Sequence, residues 1–123
     1  MFQGLRTVIY NPTDLEKGKA WYRKVLGIDP YFDEPFYVGF NVGGYELGLD
    51  PDAPKPAQDA GVIAYWGVAD IAHAHKRILE LGATEYKPPA DVGDVIRVSS
   101  VIDPFGNLIG LIENPHFKTE DGQ

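Results

Sequence analysis

The sequence predicts an α+β fold in which two divergent βαβββ modules follow one another in a single domain. The order of one strand, one amphipathic helix and three short strands occurs twice along the chain, as expected of an internal repeat. A ten-residue stretch with three prolines, residues 51–60, separates the two copies. We therefore expect module one over residues 4–50, a linker over 51–60, module two over 61–114 and a tail over 115–123.

The composition is that of one ordinary globular domain. The chain has 123 residues, of which 44% are hydrophobic and 24% are charged. Its net charge of −7 would repel a phosphate backbone, so nucleic acid is not an expected partner. The sequence has no cysteine and shows neither a long apolar run nor a signal peptide, which predicts a cytoplasmic protein without disulfides that does not bind a membrane.

Module one begins with a strand and a well-marked helix. Residues 5–10 are β-branched and aromatic, and the strand ends at a proline that cannot donate to a ladder. Thr13 and Asp14 both offer an N-cap, and Glu16 stands three residues after Thr13 as in a capping box. Gly27 is expected to end the helix.

Three short strands are expected between the first helix and the linker. The first divider is the 33–35 segment, which ends in a proline, and the second is Gly43-Gly44. Two glycines suit the positive φ angles of a two-residue hairpin turn, which would place Val42 opposite Tyr45.

Module two repeats the pattern with different turns. A helix should begin at Asp70 and end at Gly82. Strands are predicted near residues 61–68, 84–87, 94–102 and 108–113, with turns at Pro88-Pro89 and at 103–106.

Two motifs carry a family resemblance. They are the helix signature, residues 14–17 followed by 21–27, and the later turn Asp103-Pro104-Phe105-Gly106-Asn107. In this order they resemble the repeated signatures of the vicinal oxygen chelate superfamily, which includes glyoxalase I, extradiol dioxygenases, methylmalonyl-CoA epimerases and bleomycin-resistance proteins. The resemblance implies strands that curl into a half-open barrel with the helices outside, usually in a homodimer.

The resemblance also indicates where metal ligands would lie. Metal enzymes of this family place one ligand on the first strand and one on the last strand of each module. Those positions correspond here to Thr7, Gly48, Ile63 and Gly110. Because divalent ions bind imidazole or carboxylate donors, we expect no metal ion and no other cofactor.

Strand alternation then predicts which side chains line the groove of such a barrel. In the second half of module two the register is open, because the turn there is longer, so Arg97, Ser99 and Val101 are uncertain members. The predicted ligand-binding residues are Thr7, Ile9, Tyr37, Asn41, Glu46, Gly48, Asp50, Ile63, Tyr65, Arg97, Gly110 and Ile112.

Several of these residues allow more than one interpretation. Glu46 could be a general base with a raised pKa, a partner for a cationic ligand, a solvated carboxylate at the open rim, or a partner for Arg97. Gly39, Gly48 and Gly110 either leave space for a ligand or ease the curvature of the strands.

The histidines and serines do not indicate a catalytic or metal site by their positions in the sequence. His73 and His75 are two residues apart on a helix and do not share a side, so both are expected in solvent or at an interface. The Ser99-Ser100 pair has no expected histidine partner, so a nucleophilic triad is not predicted.

Three functions remain open. The first is a protein that binds a small aromatic or cationic molecule without a metal. The second is a metal-independent isomerase or lyase that uses Glu46 as general base. The third is a metal-dependent lyase or dioxygenase, as kinship alone would indicate.

Overall fold

The computed structural model describes residues 1–57, 59 and 61–117. Positions 58 and 60 of the predicted linker and positions 118–123 of the predicted tail lie outside the described residues. The chain forms two compact units, the first of which combines the residues before 61 with Pro104–Asn107.

The first unit contains a complete βαβββ module. Its four-stranded sheet has the order β1-β4-β3-β2, with β1 parallel to β4 and the other neighbours antiparallel. The elements are β1 (Thr7–Tyr10), α1 (Leu15–Leu26), β2 (Phe32–Glu34), β3 (Tyr37–Val42) and β4 (Tyr45–Leu49).

Both ends of α1 lie where the sequence predicts them, but the predicted capping box is absent. Asp14 is the N-cap and accepts a 3.1 Å hydrogen bond from the backbone N–H of Lys17. Gly27 ends the helix in the left-handed conformation, as predicted. The capping box of Thr13 and Glu16 is wrong, because Thr13 lies outside the helix at a φ of +61°.

One face of this sheet is covered by α1. Side chains alternate in direction along β3 and β4, so every second one points toward the helix. These side chains are almost fully buried together with the aromatic residues of the helix. The buried set is Trp21, Tyr22, Val38, Phe40, Leu47 and Leu49. The opposite face of the sheet, which we call the open face, therefore presents the remaining side chains.

The two turns of module one differ in how well they were predicted. Gly43-Gly44 has φ angles of +62° and +94°, and Val42 lies opposite Tyr45, as predicted. The preceding divider is shorter than expected, because β2 runs to Glu34. Phe36 consequently lies in the turn and is 65% exposed.

The second unit repeats the topology. Its sheet has the order β5-β8-β7-β6, with β5 parallel to β8, so the predicted repeat of two βαβββ modules is confirmed. The elements are β5 (Tyr65–Gly67), α2 (Ile71–Glu80), β6 (Thr84–Gly93), β7 (Ile96–Ile102) and β8 (Leu108–Glu113).

The long strand β6 departs from the prediction. Pro88-Pro89 was expected to be a turn, but β6 continues through both prolines with register shifts in its ladder. The strand lies at the edge of the sheet, so one of the two prolines can face the side without a ladder, and the register shift between Lys87 and Ala90 interrupts the pairing with β7 at the other. The turn lies instead at Asp94 and Val95, whose φ angles are +55° and +58°.

Helix α2 is held at both ends. The Asp70 side chain accepts a hydrogen bond from the first turn, and Gly82, at a φ of +117°, follows the C-cap Leu81. The N–H of Ile71 donates to the Glu113 carboxylate on β8 at 2.8 Å. Within the described part of the chain, neither helix has the length and apolar character needed to cross a bilayer.

The turn between β7 and β8 belongs to the first unit. The Phe105 ring meets Trp21 edge-on, with ring centroids 6.3 Å apart. The Asn107 side-chain amide donates a 2.8 Å hydrogen bond to the carbonyl of Asn11. These contacts give the Asp-Pro-Phe-Gly-Asn motif a structural role in module one.

Candidate functional site

The open face of module one gathers most of the residues predicted there. The register places Thr7 opposite Glu46 and Ile9 opposite Gly48 across the parallel pair, and β3 continues the same face. The predicted grouping of these side chains on one face is confirmed, whereas ligand binding by them stays a prediction. The predicted residues that lie on the open face are Thr7, Ile9, Tyr37, Gly39, Asn41, Glu46 and Gly48.

Three hydroxyl groups converge on the Glu46 carboxylate. Thr7 Oγ1 and Tyr37 OH each donate a 2.7 Å hydrogen bond to Oε1, and Tyr31 OH donates to Oε2. Thr7 and Tyr37 lie on ladder-bonded strands, whereas Tyr31 immediately precedes β2. We call these four residues the Glu46 cluster.

Tyr31 was not predicted, and alternation explains why. Phe32 lies opposite Gly39 and therefore on the open face, so strict alternation would send Tyr31 to the helix side. The chain instead bends at Tyr31, ahead of the strand, and turns its ring over Gly39. The Asp29-Pro30 pair directly before Tyr31 favours a turn, but it does not indicate where the Tyr31 ring will lie.

The three hydrogen bonds decide the ionisation of the cluster. Partial burial raises the pKa of Glu46, but the hydrogen bonds from Tyr31, Tyr37 and Thr7 together outweigh it and hold the pKa below the ordinary 4.5. The interpretation of Glu46 as a group with a raised pKa is thus wrong. Burial and the hydrogen bond to Glu46 raise the pKa of Tyr37 to about 12, and the Glu46 hydrogen bond likewise raises the pKa of Tyr31. The cluster is therefore one carboxylate surrounded by neutral hydroxyls near neutral pH.

The glycines of the open face make room for these side chains. A Cβ on Gly48 would lie 2.8 Å from Cζ of Tyr37, and a Cβ on Gly39 would lie 2.6 Å from Oε2 of Glu46 and 3.3 Å from Tyr31 Cε1. Neither earlier interpretation, ligand space or strand curvature, accounts for these contacts. The absent side chains leave volume that the Glu46 cluster itself fills.

Module two has a related arrangement at its last strand. Tyr65 lies opposite Gly110, and a Cβ on Gly110 would be 2.6 Å from Tyr65 Cδ1. Ile112 lies opposite Gly67 and so shares the face of Gly110, as predicted. Ile63 precedes the three-residue strand β5.

Arg97 does not belong to that face. The register of β7 and β8 pairs Ser100 with Gly110, so Arg97, Ser99 and Val101 lie on the opposite face of the sheet. The interpretation that they join the groove set is wrong. The physical reason is the longer turn, which shifts the alternation of β7 by one residue relative to the expected register.

Two other predicted residues serve local turns. Asn41 Oδ1 accepts a 2.8 Å hydrogen bond from the N–H of Gly44 in the hairpin. Asp50 Oδ1 accepts one of 2.8 Å from the N–H of Asp52 after β4. Both side chains therefore stabilise the backbone beside the open face.

His75 contradicts two expectations. It is only 4% exposed, with Nδ1 2.9 Å from Ser99 Oγ and Nε2 2.8 Å from the Glu85 carboxylate. Ser99 thus does have a histidine partner, and His75 is not in solvent. The sequence held a signal for this, because Ile71, His75 and Ile78 have the i, i+4, i+7 spacing of a buried helix face.

The Ser99–His75–Glu85 chain is nevertheless unsuited to nucleophilic catalysis. Ser99 is 2% exposed and lies on the face of β7 that α2 covers, so a substrate does not reach its hydroxyl. The hydrogen bonds instead connect α2 to β6 and β7.

The protein is an α+β protein built from two successive βαβββ modules, and the first module has a polar cluster on its open sheet face. The chain belongs to the Glyoxalase/Bleomycin resistance protein/Dioxygenase superfamily, whose family model matches residues 4–111. The resemblance of its motifs to this group is therefore confirmed. A search of curated proteins gave no match.

Solved structures share the fold. A glyoxalase-related enzyme from Fulvimarina pelagi is 18% identical, with a TM-score of 0.76 over 99% of this chain and 96% of that one. A superfamily member from Sphaerobacter thermophilus DSM 20745 is 25% identical, with a TM-score of 0.72 over 92% and 98% of the two chains. A lactoylglutathione lyase from Agrobacterium tumefaciens is 18% identical, with a TM-score of 0.72 over 98% and 100%.

The residues at the expected ligand positions do not fit a divalent ion. Thr7 gives its hydroxyl to Glu46, Gly48 and Gly110 have no side chain, and Ile63 has no donor atom. The phenol of Tyr37 and the ring of Tyr65 occupy the space beside the two glycines. No group of three or more His, Asp or Glu side chains suited to a metal occurs among the residues that the structure describes.

Proposed function

We propose that this protein binds a small aromatic or cationic molecule on the open face of module one without a metal ion, with Glu46 as the anionic anchor. The observation that carries the proposal is the hydrogen bonding of Glu46, which keeps the carboxylate ionised. A fixed negative charge at the edge of an aromatic surface attracts a cation more strongly than a neutral or anionic molecule of the same shape.

Aromatic side chains beside Glu46 supply the apolar part of the proposed site. The rings of Phe32 and Tyr37 have centroids 6.0 Å apart. Ile9 adds an exposed aliphatic side chain next to Gly48. Such rings offer both stacking area and cation–π attraction.

The proposed binding needs no metal ion, because the side chains at the expected ligand positions are not of the types that bind one. Hydroxyl, alkyl and glycine positions supply none of the imidazole or carboxylate donors that divalent ions prefer, and the cluster already uses the Thr7 hydroxyl. A metal-dependent lyase or dioxygenase activity is therefore not proposed.

The alternative of a metal-independent isomerase or lyase with Glu46 as general base has less support. An efficient base has a pKa near the working pH, whereas hydrogen bonding lowers the pKa of Glu46. The same lowering favours an electrostatic anchor, because the charge persists over a wider range of pH.

Calorimetric titration tests the proposal with three aromatic probes of similar size. They are 2-phenylethylammonium, the neutral 2-phenylethanol and the anionic 3-phenylpropanoate, each measured with and without a chelator. We expect the cation to bind best, chelator to have no effect, and Glu46→Gln to weaken cation binding by about tenfold or more.

Tyr45→Phe is the matched control, because Tyr45 is next to Glu46 on β4 but points to the opposite face. It should leave the affinity for the cation unchanged. Equal affinity for the three probes, or no binding of any, would contradict the proposal.

A further inference from the structure

The two oxygens of the Glu46 carboxylate are not equivalent. Oε1 accepts from Thr7 and Tyr37, both at 2.7 Å, and both donors lie in strands held by the ladder. Oε2 accepts from Tyr31. A molecule that approaches this carboxylate from solvent therefore meets one oxygen with two fixed donors and one oxygen with a donor of a different kind.

Tyr31 is attached to the sheet by its backbone. Its N–H donates to the carbonyl of Gly39 at 3.0 Å, which fixes the start of the side chain. Tyr31 is 64% exposed, and its ring extends across Gly39 to reach Glu46. Rotation about the side-chain torsions can therefore remove the phenol from Oε2 without breaking the ladder.

Removal of the phenol would uncover a defined small surface. Gly39 presents bare backbone beneath the Tyr31 ring, since a Cβ there would lie 3.3 Å from Tyr31 Cε1 and 2.6 Å from Glu46 Oε2. Phe32 lies opposite Gly39 on the same face, and its ring packs against Tyr37. The uncovered surface thus consists of the Phe32 ring, the Gly39 backbone and the Glu46 oxygen Oε2, which no longer accepts a hydrogen bond from Tyr31.

We infer that Tyr31 is an exchangeable occupant of this position, and that the ligand is a protonated amine or similar cation whose N–H replaces the Tyr31 hydroxyl on Oε2 of Glu46. The inference rests on the proposed function and specifies its ligand class and its gating residue. A quaternary ammonium ion has no N–H, so it leaves Oε2 without a donor if it displaces Tyr31, and it binds only through charge and aromatic contact.

This arrangement makes Tyr31 a competitor of the ligand in the free protein. Binding of an amine that carries an N–H must first break the hydrogen bond between Tyr31 and Glu46, so the affinity for such an amine is lowered by the strength of that bond. Thr7 and Tyr37 act differently, because they hold Oε1 and orient the carboxylate in both states.

Calorimetry with a matched pair of cations tests the inference. The probes are 2-phenylethylammonium and its N,N,N-trimethyl analogue, titrated into the wild-type chain and into Tyr31→Phe, Tyr37→Phe and Tyr45→Phe. In Tyr31→Phe the affinity for the primary ammonium should increase by about threefold to tenfold, which is the net contribution of one hydrogen bond. The affinity for the trimethyl analogue should change less than twofold.

The variants separate the possible failures. Tyr37→Phe should give no gain for either probe, and Tyr45→Phe, on the other face, should match the wild-type chain. An unchanged or weaker affinity of Tyr31→Phe for the primary ammonium would overturn the exchange, as would an equal gain in Tyr37→Phe. If neither cation binds to the wild-type chain, the proposed function itself fails.

Discussion

The Glu46 cluster makes the ionisation of a single carboxylate depend on three neighbours. The pKa of Glu46 is lowered in the folded chain, so its hydrogen bonds stabilise the fold at any pH above the ordinary value of 4.5. That contribution is lost as the pH falls through the lowered pKa, because the protonated carboxyl no longer accepts as an anion.

Glu46→Gln should therefore reduce stability in a pH-dependent way. We expect the difference in unfolding free energy between the wild-type chain and Glu46→Gln to be largest above pH 4.5 and to shrink at lower pH. Urea denaturation from pH 7 to pH 3 measures it. Glu80→Gln removes the same charge from the exposed end of α2 and serves as the control. A difference that stays constant or grows toward pH 3 would contradict this account.

At the level of single residues, the sequence predicted the sheet face of a side chain better than its hydrogen-bond partners. Alternation correctly placed Thr7, Tyr37 and Glu46 on one face, because side-chain direction in a strand depends only on local geometry. It missed Tyr31, which reaches the face from a bend, and sequence reasoning misjudged the helix residue His75, whose partners lie on two strands, β6 and β7. Long-range hydrogen bonds of this kind have no local pattern.

At the level of elements, the hairpin between β6 and β7 contains a strained turn. Val95 has a φ of +58°, a conformation that costs a β-branched residue roughly 1–2 kcal/mol, and the residue is 61% exposed. Little packing compensates for this conformation, so the turn is a site where stability can be gained.

Val95→Gly should stabilise the protein by about 1 kcal/mol, since glycine adopts this φ freely and the loss of an exposed side chain is small. Chemical denaturation measures the gain. Val92→Gly is a matched control on β6, where the valine is 59% exposed within the strand. There glycine should destabilise by about 0.5–1 kcal/mol. Destabilisation by both substitutions would show that Val95 contributes through contact and not through strain.

The elements themselves were predicted where a short signal exists. Asp14, Gly27 and Gly43-Gly44 each mark a helix end or a turn by their own chemistry, and each is correct. Pro88-Pro89 misled the prediction because proline is compatible with both a turn and an edge strand. Only the position of β6 in the sheet distinguishes the two, and that position depends on the rest of module two.

At the level of the whole molecule, the compact units do not follow the sequence repeat completely. Pro104–Asn107 lies between two strands of module two but belongs to the unit that contains module one. The Asn107 amide donates to the carbonyl of Asn11, and both residues are buried. A change in the later half of the sequence should therefore weaken the earlier module.

Asn107→Ala tests this coupling. Loss of a buried hydrogen bond should reduce the free energy of unfolding by about 1–3 kcal/mol. Hydrogen exchange should show faster exchange in β1 and α1. Asn114→Ala removes a local hydrogen bond to the N–H of His116 in the second unit and should change stability by less than about 0.5 kcal/mol. Unchanged protection of β1 and α1 in Asn107→Ala would argue against the coupling.

The packing of Tyr37 against Gly48 also restricts the mutational routes by which this protein can change. A carboxylate introduced at position 48 would begin from a Cβ only 2.8 Å from Cζ of Tyr37, so Gly48→Glu alone is expected to damage the sheet. Loss of the Tyr37 ring must come first, and that step removes a donor from Glu46. A metal-ligating side chain at this position is therefore expected to require an ordered pair of substitutions, the first of which weakens the hydrogen bonding of Glu46.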